Sequence, residues 1–213
     1  MSVLVTGFGS YGDQTSNPSE LLAWALDGQR IAGETITGAS LPVATAQVGR
    51  ALATAIDNAR PRIVVALGVA PGRTAPSLER VAINVRDFPI PDTDGAQPVD
   101  EPVVARGPDA YRTALPVKMI LSAWRTAGLP GYVSNTAGTY VCNQVFYLVS
   151  HRARQDGFRA GFIHLPALPA PDTATVPAPS MSLELMEEAV RTAVAVAAGH
   201  DGPDLSLVAG AVS

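Results

Sequence analysis

The sequence predicts an α/β fold: a mostly parallel sheet covered by helices on both faces. Three observations lead there. Apolar runs of strand length alternate with segments of helical period along the chain. Two of those runs, Ile63-Val64-Val65-Ala66-Leu67 and Ala160-Gly161-Phe162-Ile163, are continuously apolar, as strands buried on both faces must be. At 213 residues and 47% hydrophobic, the chain is long enough for one full core.

The elements follow in order. Ser2 to Thr6 is a short apolar run and reads as the first strand. Asn17-Pro18 opens a helix, with Asn as N-cap and Pro at the first helical position. Leu21, Leu22, Trp24 and Ala25 then recur at helical spacing. Thr35 to Leu41 reads as a second strand and Thr45 to Ala59 as a helix, with Val48, Leu52 and Ile56 each one turn apart. Arg62 to Leu67 is a buried strand, Lys118 to Ala127 a helix, Tyr132-Val133 a short strand, and Val141 to Arg154 a helix. Arg159 to His164 is another buried strand, and Ser180 to Ala198 the last helix, with Ser180 or Ser182 as cap. Arg86 to Leu115, rich in Pro, Asp and Gly, fits no element. A loop this long in a compact domain is functional or mobile. Gly202 to Ser213 reads as a loose tail. With no repeat and no interdomain linker, residues 1–213 are expected to form one domain.

Composition removes several classes of function. A net charge of −4 and the lack of a basic stripe with interleaved aromatics give no reason to expect nucleic acid. No apolar run approaches the roughly 20 residues needed to span a bilayer. Met1-Ser2-Val3-Leu4-Val5-Thr6-Gly7 has no basic start and no long apolar stretch, so a secretory signal is not expected. A single cysteine rules out an intrachain disulfide and a thiolate-rich zinc site. A cytoplasmic location, where a lone thiol stays reduced, is expected.

That cysteine, Cys142, is the most suggestive residue. It follows the small-residue turn Ser134-Asn135-Thr136-Ala137-Gly138 and sits where a helix begins. Unsatisfied N–H groups and the helix dipole favour a thiolate there. Cysteine hydrolysis also needs a base and a group that orients the base. Of three histidines, His151 falls inside the helix after Cys142 and faces away, and His200 lies at the C-terminal end beside Gly199 and Asp201. His164 ends a buried strand, and ligands of parallel sheets bind at C-terminal strand ends. Glu79 opens the run Glu79-Arg80-Val81-Ala82-Ile83-Asn84-Val85, in which alternation puts it on the face of Val81, Ile83 and Val85. A carboxylate on a core-facing side needs a partner; it is either an imidazolium or one of Arg73 and Arg80. Cys142 has a plain reading too, as a small buried hydrophobe beside Val145, Phe146 and Val149. A different class of reading comes from Gly7-Phe8-Gly9-Ser10-Tyr11-Gly12, which matches the dinucleotide spacing G-x-G-x-x-G. Its context fails: the helix begins only at Asn17-Pro18, and no acidic residue ends the second strand.

The ordered motifs carry a family resemblance. They are Val5-Thr6-Gly7-Phe8, Asn17-Pro18, Leu41-Pro42-Val43, Gly68-Val69-Ala70-Pro71-Gly72-Arg73, Glu79-Arg80-Val81-Ala82-Ile83-Asn84, Ile90-Pro91-Asp92, Asp100-Glu101-Pro102, Val141-Cys142-Asn143, Phe162-Ile163-His164-Leu165-Pro166 and Pro179-Ser180-Met181-Ser182. The chain resembles the pyroglutamyl peptidase I family, cysteine peptidases that remove an N-terminal pyroglutamyl residue. The resemblance runs from Val3 to about Ala198. It implies a single-domain α/β/α sandwich, commonly a homotetramer, without metal or cofactor. The family's catalytic glutamate, cysteine and histidine fall on Glu79, Cys142 and His164. Its pocket for the lactam ring falls on Phe8, Tyr11, Ile90, Tyr140 and Val141. Two positions depart from the family pattern. Tyr11 stands where a phenylalanine is usual, and Pro89 where an arginine that helps stabilise the oxyanion is usual. Loss of one such donor costs about 10²–10³ in rate. Arg86 could substitute from a rearranged loop; otherwise the enzyme is slow, or it is a retired relative that only binds pyroglutamyl peptides.

Overall fold

The computed structural model of the protein describes residues 2–11, 16–169 and 179–210. The elements run β1 (Ser2–Phe8), α1 (Pro18–Leu26), β2 (Arg30–Ile31), β3 (Glu34–Leu41), α2 (Thr45–Ala59), β4 (Ile63–Val69), β5 (Ser77–Glu79), β6 (Val81–Ile83), β7 (Ala110–Arg112), α3 (Val117–Thr126), β8 (Tyr132–Ser134), α4 (Val141–Asp156), β9 (Arg159–Leu165) and α5 (Leu183–Gly199). Seven strands form one sheet in the order β2-β3-β1-β4-β9-β5-β8, and β6 pairs with β7 in a separate ribbon. The centre of the sheet, β3-β1-β4-β9, is parallel. Strand β5 runs antiparallel to β9 and parallel to β8, and β2 is an antiparallel edge.

Alternation along the central strands divides the core in two. Val3, Val5, Ile63, Val65, Leu67, Ile163 and Leu165 pack against α1, α3 and α5. Leu4, Phe8, Val64, Ala66, Ala160 and Phe162 pack against α2 and α4. The result is the expected three-layer α/β/α arrangement. Period-two alternation then places His164, like Ala160 and Phe162, on the α2–α4 side.

Helix α1 starts as its sequence requires: Asn17 Oδ1 accepts the Ser19 N–H at 3.0 Å, with Pro18 in the first turn. Its first turn lies so close to β1 that a Cβ on Gly7 would fall 2.0 Å from the Ser19 carbonyl oxygen. This packing accounts for Gly7 without a nucleotide; Gly12 of the G-x-G-x-x-G spacing lies outside the described residues.

Three expectations need correction. The run from Glu79 to Val85 is not one strand. It breaks at Arg80, so Glu79 ends β5 in the main sheet while Val81–Ile83 belong to the ribbon. The buried member of that ribbon strand is Ala82, not Val81 or Ile83. Cross-sheet bonds set the break: the Arg80 N–H donates to the Ser134 carbonyl, and the Arg80 carbonyl accepts from Thr113 N.

The segment 86–115 is tied down along its length and contains β7. Arg86 and Glu101 exchange both backbone hydrogen bonds, and the Phe88 N–H donates to the Pro98 carbonyl. Asn84 exchanges bonds with Val104 and donates to the Gly107 carbonyl. Asn143, on α4, holds the ribbon through Ile83 and Val85. The tail is likewise not loose at Asp204, whose carboxylate accepts the Lys118 and Met119 N–H groups at 2.8 and 2.9 Å. It supplies the side-chain cap that Pro116 cannot give α3.

Helix α2 is capped in the same borrowed way. Ala44 at its N-cap has no side-chain acceptor. Asp92, buried in the 86–115 segment, accepts Thr45 N–H at 2.7 Å with one oxygen and the Asp94 and Ala96 N–H groups with the other. Asp92→Ala removes the cap and strands three donors. It is expected to lower unfolding free energy by about 2 kcal/mol, read in urea titrations; an unchanged midpoint would refute this role.

Candidate active site

The antiparallel register of β5 and β9 sets Ser77 opposite His164 and Glu79 opposite Phe162. All four therefore share one sheet face, beneath α4. Glu79 is fully buried and His164 is 4% exposed. His164 Nδ1 and Glu79 Oε1 are 2.8 Å apart. Burial pushes the Glu79 carboxyl up, but the hydrogen bond from His164, the Ser134 hydroxyl and the charge of Arg73 outweigh it, and it is held below its ordinary range. An ionised carboxylate only accepts, so Nδ1 carries the proton and Nε2 keeps a lone pair. The imidazole is pushed down by burial, which outweighs the upward pull of Glu79. His164 is thus an uncharged imidazole with a fixed tautomer.

Glu79 holds an imidazole, uncharged rather than the imidazolium foreseen, and also an arginine. Arg73 Nη1 lies 2.6 Å from the same Oε1, whereas Arg80 donates elsewhere, to the Ala209 carbonyl at 3.3 Å.

Cys142 lies in the first turn of α4, whose N-cap residue Tyr140 provides no side-chain acceptor. Its sulfur sits over β4: a Cβ built on Gly68 would be 3.0 Å from Sγ. Gly68 is the registered partner of His164 across the β4–β9 pair. Sulfur, imidazole and carboxylate, from three distant stretches of chain, thus converge on one face of adjacent strands. The expectation of a resting thiolate is corrected. Burial first, and the Glu79 carboxylate second, push the Cys142 thiol up to about 12 despite Arg73 and a backbone N–H. The helix terminus helps, but desolvation is larger.

Beside the sulfur opens a mostly apolar cavity of about 260 Å³. Phe8, Tyr11, Ile90, Tyr140 and Val141 all line it, with Cys142 at its edge. Tyr140 packs on Phe88 at 4.6 Å between ring centroids and donates to the Pro91 carbonyl at 3.1 Å, fixing the wall that carries Ile90. Sequence reasoning missed Asn17, Val43, Val69 and Pro71 as lining residues. Val69 and Pro71 were within reach of it, because one ends a parallel strand and the other lies just beyond that end. Pro89 lines the cavity too, and no arginine does among the described residues. Arg86 is held by Thr45 and Glu101 at 3.1 and 2.9 Å. The other histidines are elsewhere: His151 contacts Tyr111 Oη at 2.7 Å, and His200 the Pro203 carbonyl at 3.0 Å. Among the described residues no cluster of His, Cys, Asp and Glu could hold a metal ion, and no helix is long and apolar enough to cross a membrane.

Comparison with known proteins bears on the family and the fold. The family model for pyroglutamyl peptidases matches residues 1–200. The chain is 47% identical over 196 residues to the pyrrolidone-carboxylate peptidase of Klebsiella pneumoniae (strain 342), covering 92% of each protein. The pyrrolidone carboxyl peptidase from Thermococcus litoralis superposes with a TM-score of 0.93 at 35% identity, covering 97% of this chain and 99% of that one. The pyroglutamyl peptidase I of Bacillus amyloliquefaciens superposes with a TM-score of 0.92 at 37% identity, covering 96% and 99%.

Proposed function

The chain belongs to the pyroglutamyl peptidase family, and from that premise we propose that it hydrolytically removes N-terminal pyroglutamyl residues from peptides as a cysteine peptidase. The observation that best supports this is the Glu79–His164 pair on the sheet face over which the Cys142 sulfur lies, at the edge of an apolar cavity. The lactam ring enters the cavity. As the thiol attacks the carbonyl that joins pyroglutamate to the next residue, its proton passes to His164 Nε2 and the S–C bond forms. With the thiol pushed up and the imidazole pushed down, this is a general-base step rather than attack by a standing thiolate. The backbone N–H of Cys142, at the α4 terminus, donates to the developing oxyanion. The C–N bond then breaks and His164 returns the proton to the leaving amine. Water, deprotonated by the same nitrogen, hydrolyses the thioester, releasing pyroglutamate and the thiol. Glu79 holds the imidazole tautomer throughout.

Specificity comes from charge as well as shape. A closed lactam has no ammonium, whereas a free N-terminus would have to lose its hydration in an apolar cavity. Pro89 in the cavity wall supplies no donor where the family usually has an arginine, so the oxyanion is held less well and turnover is slow rather than absent. The protein works in the cytoplasm, where Cys142 stays reduced, and assembles as a homotetramer, as the family resemblance implies. The purified protein should release coumarin from pyroglutamyl-aminomethylcoumarin but not from prolyl-aminomethylcoumarin. No release, or equal release from both, sinks the reading; the former favours a retired relative that only binds.

A further inference from the structure

Glu79 carries two partners on one oxygen. His164 Nδ1 at 2.8 Å and Arg73 Nη1 at 2.6 Å both meet Oε1, while Oε2 is buried without a hydrogen bond. The same Nη1 bonds the hydroxyl of Ser77, the residue registered opposite His164. The Arg73 guanidinium also sits over the Tyr132 ring, 6.0 Å from its centroid. Guanidinium, carboxylate and imidazole thus form one chain, and only its first member reaches solvent: the side chains of Arg73, Glu79 and His164 are 24%, 0% and 4% exposed.

We infer that Arg73 is a positioning residue of this reaction: its guanidinium balances the buried charge of Glu79, so that His164 stays an uncharged base. An ionised carboxylate with no solvent contact must be compensated nearby. Two cations are within reach. If Arg73 supplies the charge, the imidazole can stay neutral and accept the thiol proton. If Arg73 is removed, compensation falls to His164, which must then hold a proton and cannot act as base. The charged groups acting on the imidazole are Glu79 on β5, which favours its protonated form, and Arg73 on the β4–β5 connection, which opposes it. Cys142 on α4 lies across Gly68 with its thiol protonated, and Phe162 on β9 and Gly68 on β4 carry no charge.

The inference rests on the pyroglutamyl peptidase reading and is tested separately from it. The pH dependence of kcat/KM on pyroglutamyl-aminomethylcoumarin is measured for the wild type, Arg73→Gln and Arg73→Lys. In Arg73→Gln the acid limb should move up by about one pH unit, so that about tenfold more activity is lost at the foot of the limb than on the plateau. Arg73→Lys keeps the charge and should hold the limb within about 0.3 units of wild type. A lowered rate with an unmoved limb in Arg73→Gln, or an equally displaced limb in Arg73→Lys, overturns the proposal. An inactive wild type would defeat the peptidase reading but not this one, because ¹⁵N shifts of the His164 ring report the same titration without turnover. If Arg73→Gln does not fold, the neutral pair Arg73→Gln/Glu79→Gln decides. Charge balance requires that the second change restore folding, whereas a role limited to Ser77 and Tyr132 leaves the double variant as unfolded as the single.

Discussion

Exchanging Cys142 for alanine or serine is expected to lower kcat/KM on a pyroglutamyl-coumarin substrate by roughly 10⁴-fold or more. The thermal midpoint should stay within about 3 °C of wild type, which corresponds to a change of about 1 kcal/mol in a protein of this size. Alanine leaves no nucleophile at all. Serine keeps the shape, but its hydroxyl gives up a proton far less readily than a thiol. The thiol is itself pushed up to about 12, so in the proposed step His164 already has to draw off a reluctant proton. The fold should tolerate both changes. Cys142 borders the cavity in the first turn of α4, and that helix is held by Val145, Phe146 and Val149 beneath it. Wild-type turnover in Cys142→Ala would rule out the mechanism, and collapse of the fold would mean that the residue is structural.

The same burial explains why the protonation state of the site was not legible in the sequence. A cysteine after a small-residue turn announces a helix N-terminus, and the helix does begin at Val141. Nothing local announces the Glu79 carboxylate or the depth of the sulfur, because both depend on pairing between β4, β9 and β5. Elements with their own period were legible. The helix Thr45–Ala59 has the bounds its spacing predicts, since Val48, Leu52 and Ile56 are its buried face. The buried strands at Ile63–Val69 and Arg159–Leu165 follow from continuous apolar runs. The ribbon, the break at Arg80 and the ordering of 86–115 were not legible. There the chain is shaped by single polar residues whose partners lie far away, such as Asn143 on Ile83 and Asp92 on Thr45. Alternation also gave the right result for Glu79 by a wrong route. It is buried because β5 lies between β9 and β8 in the main sheet, not because it shares a strand with Val81 and Ile83.

Gly68 carries the most demanding consequence of this geometry. Gly68→Ala is expected to reduce kcat by about 10²-fold, because misplacing a reacting group by about 1 Å costs that much. The backbone at Gly68 is not in the left-handed region, so the obstacle is space alone. The added methyl would lie 2.8 Å from Phe162 Cζ and 3.0 Å from Cys142 Sγ. Phe162 is 1% exposed and wedged between Phe146 and His164, with ring centroids 5.9 and 4.8 Å away. It has nowhere to go, whereas the sulfur borders an open cavity. The sulfur therefore yields, moving off the strand whose neighbour carries its base. Overpacking should also lower stability by about 1–3 kcal/mol. KM should hold near wild type, because Phe8 and Ile90 are untouched. Gly49→Ala is the control: its nearest neighbour, Leu148 Cδ1, is at an ordinary 3.5 Å. In the interior of α2 that change should stabilise by about 0.5–1 kcal/mol and leave kcat unaltered. If Gly68→Ala keeps wild-type kcat, the sulfur does not need its seat over β4, and Cys142 is not the nucleophile placed by that strand.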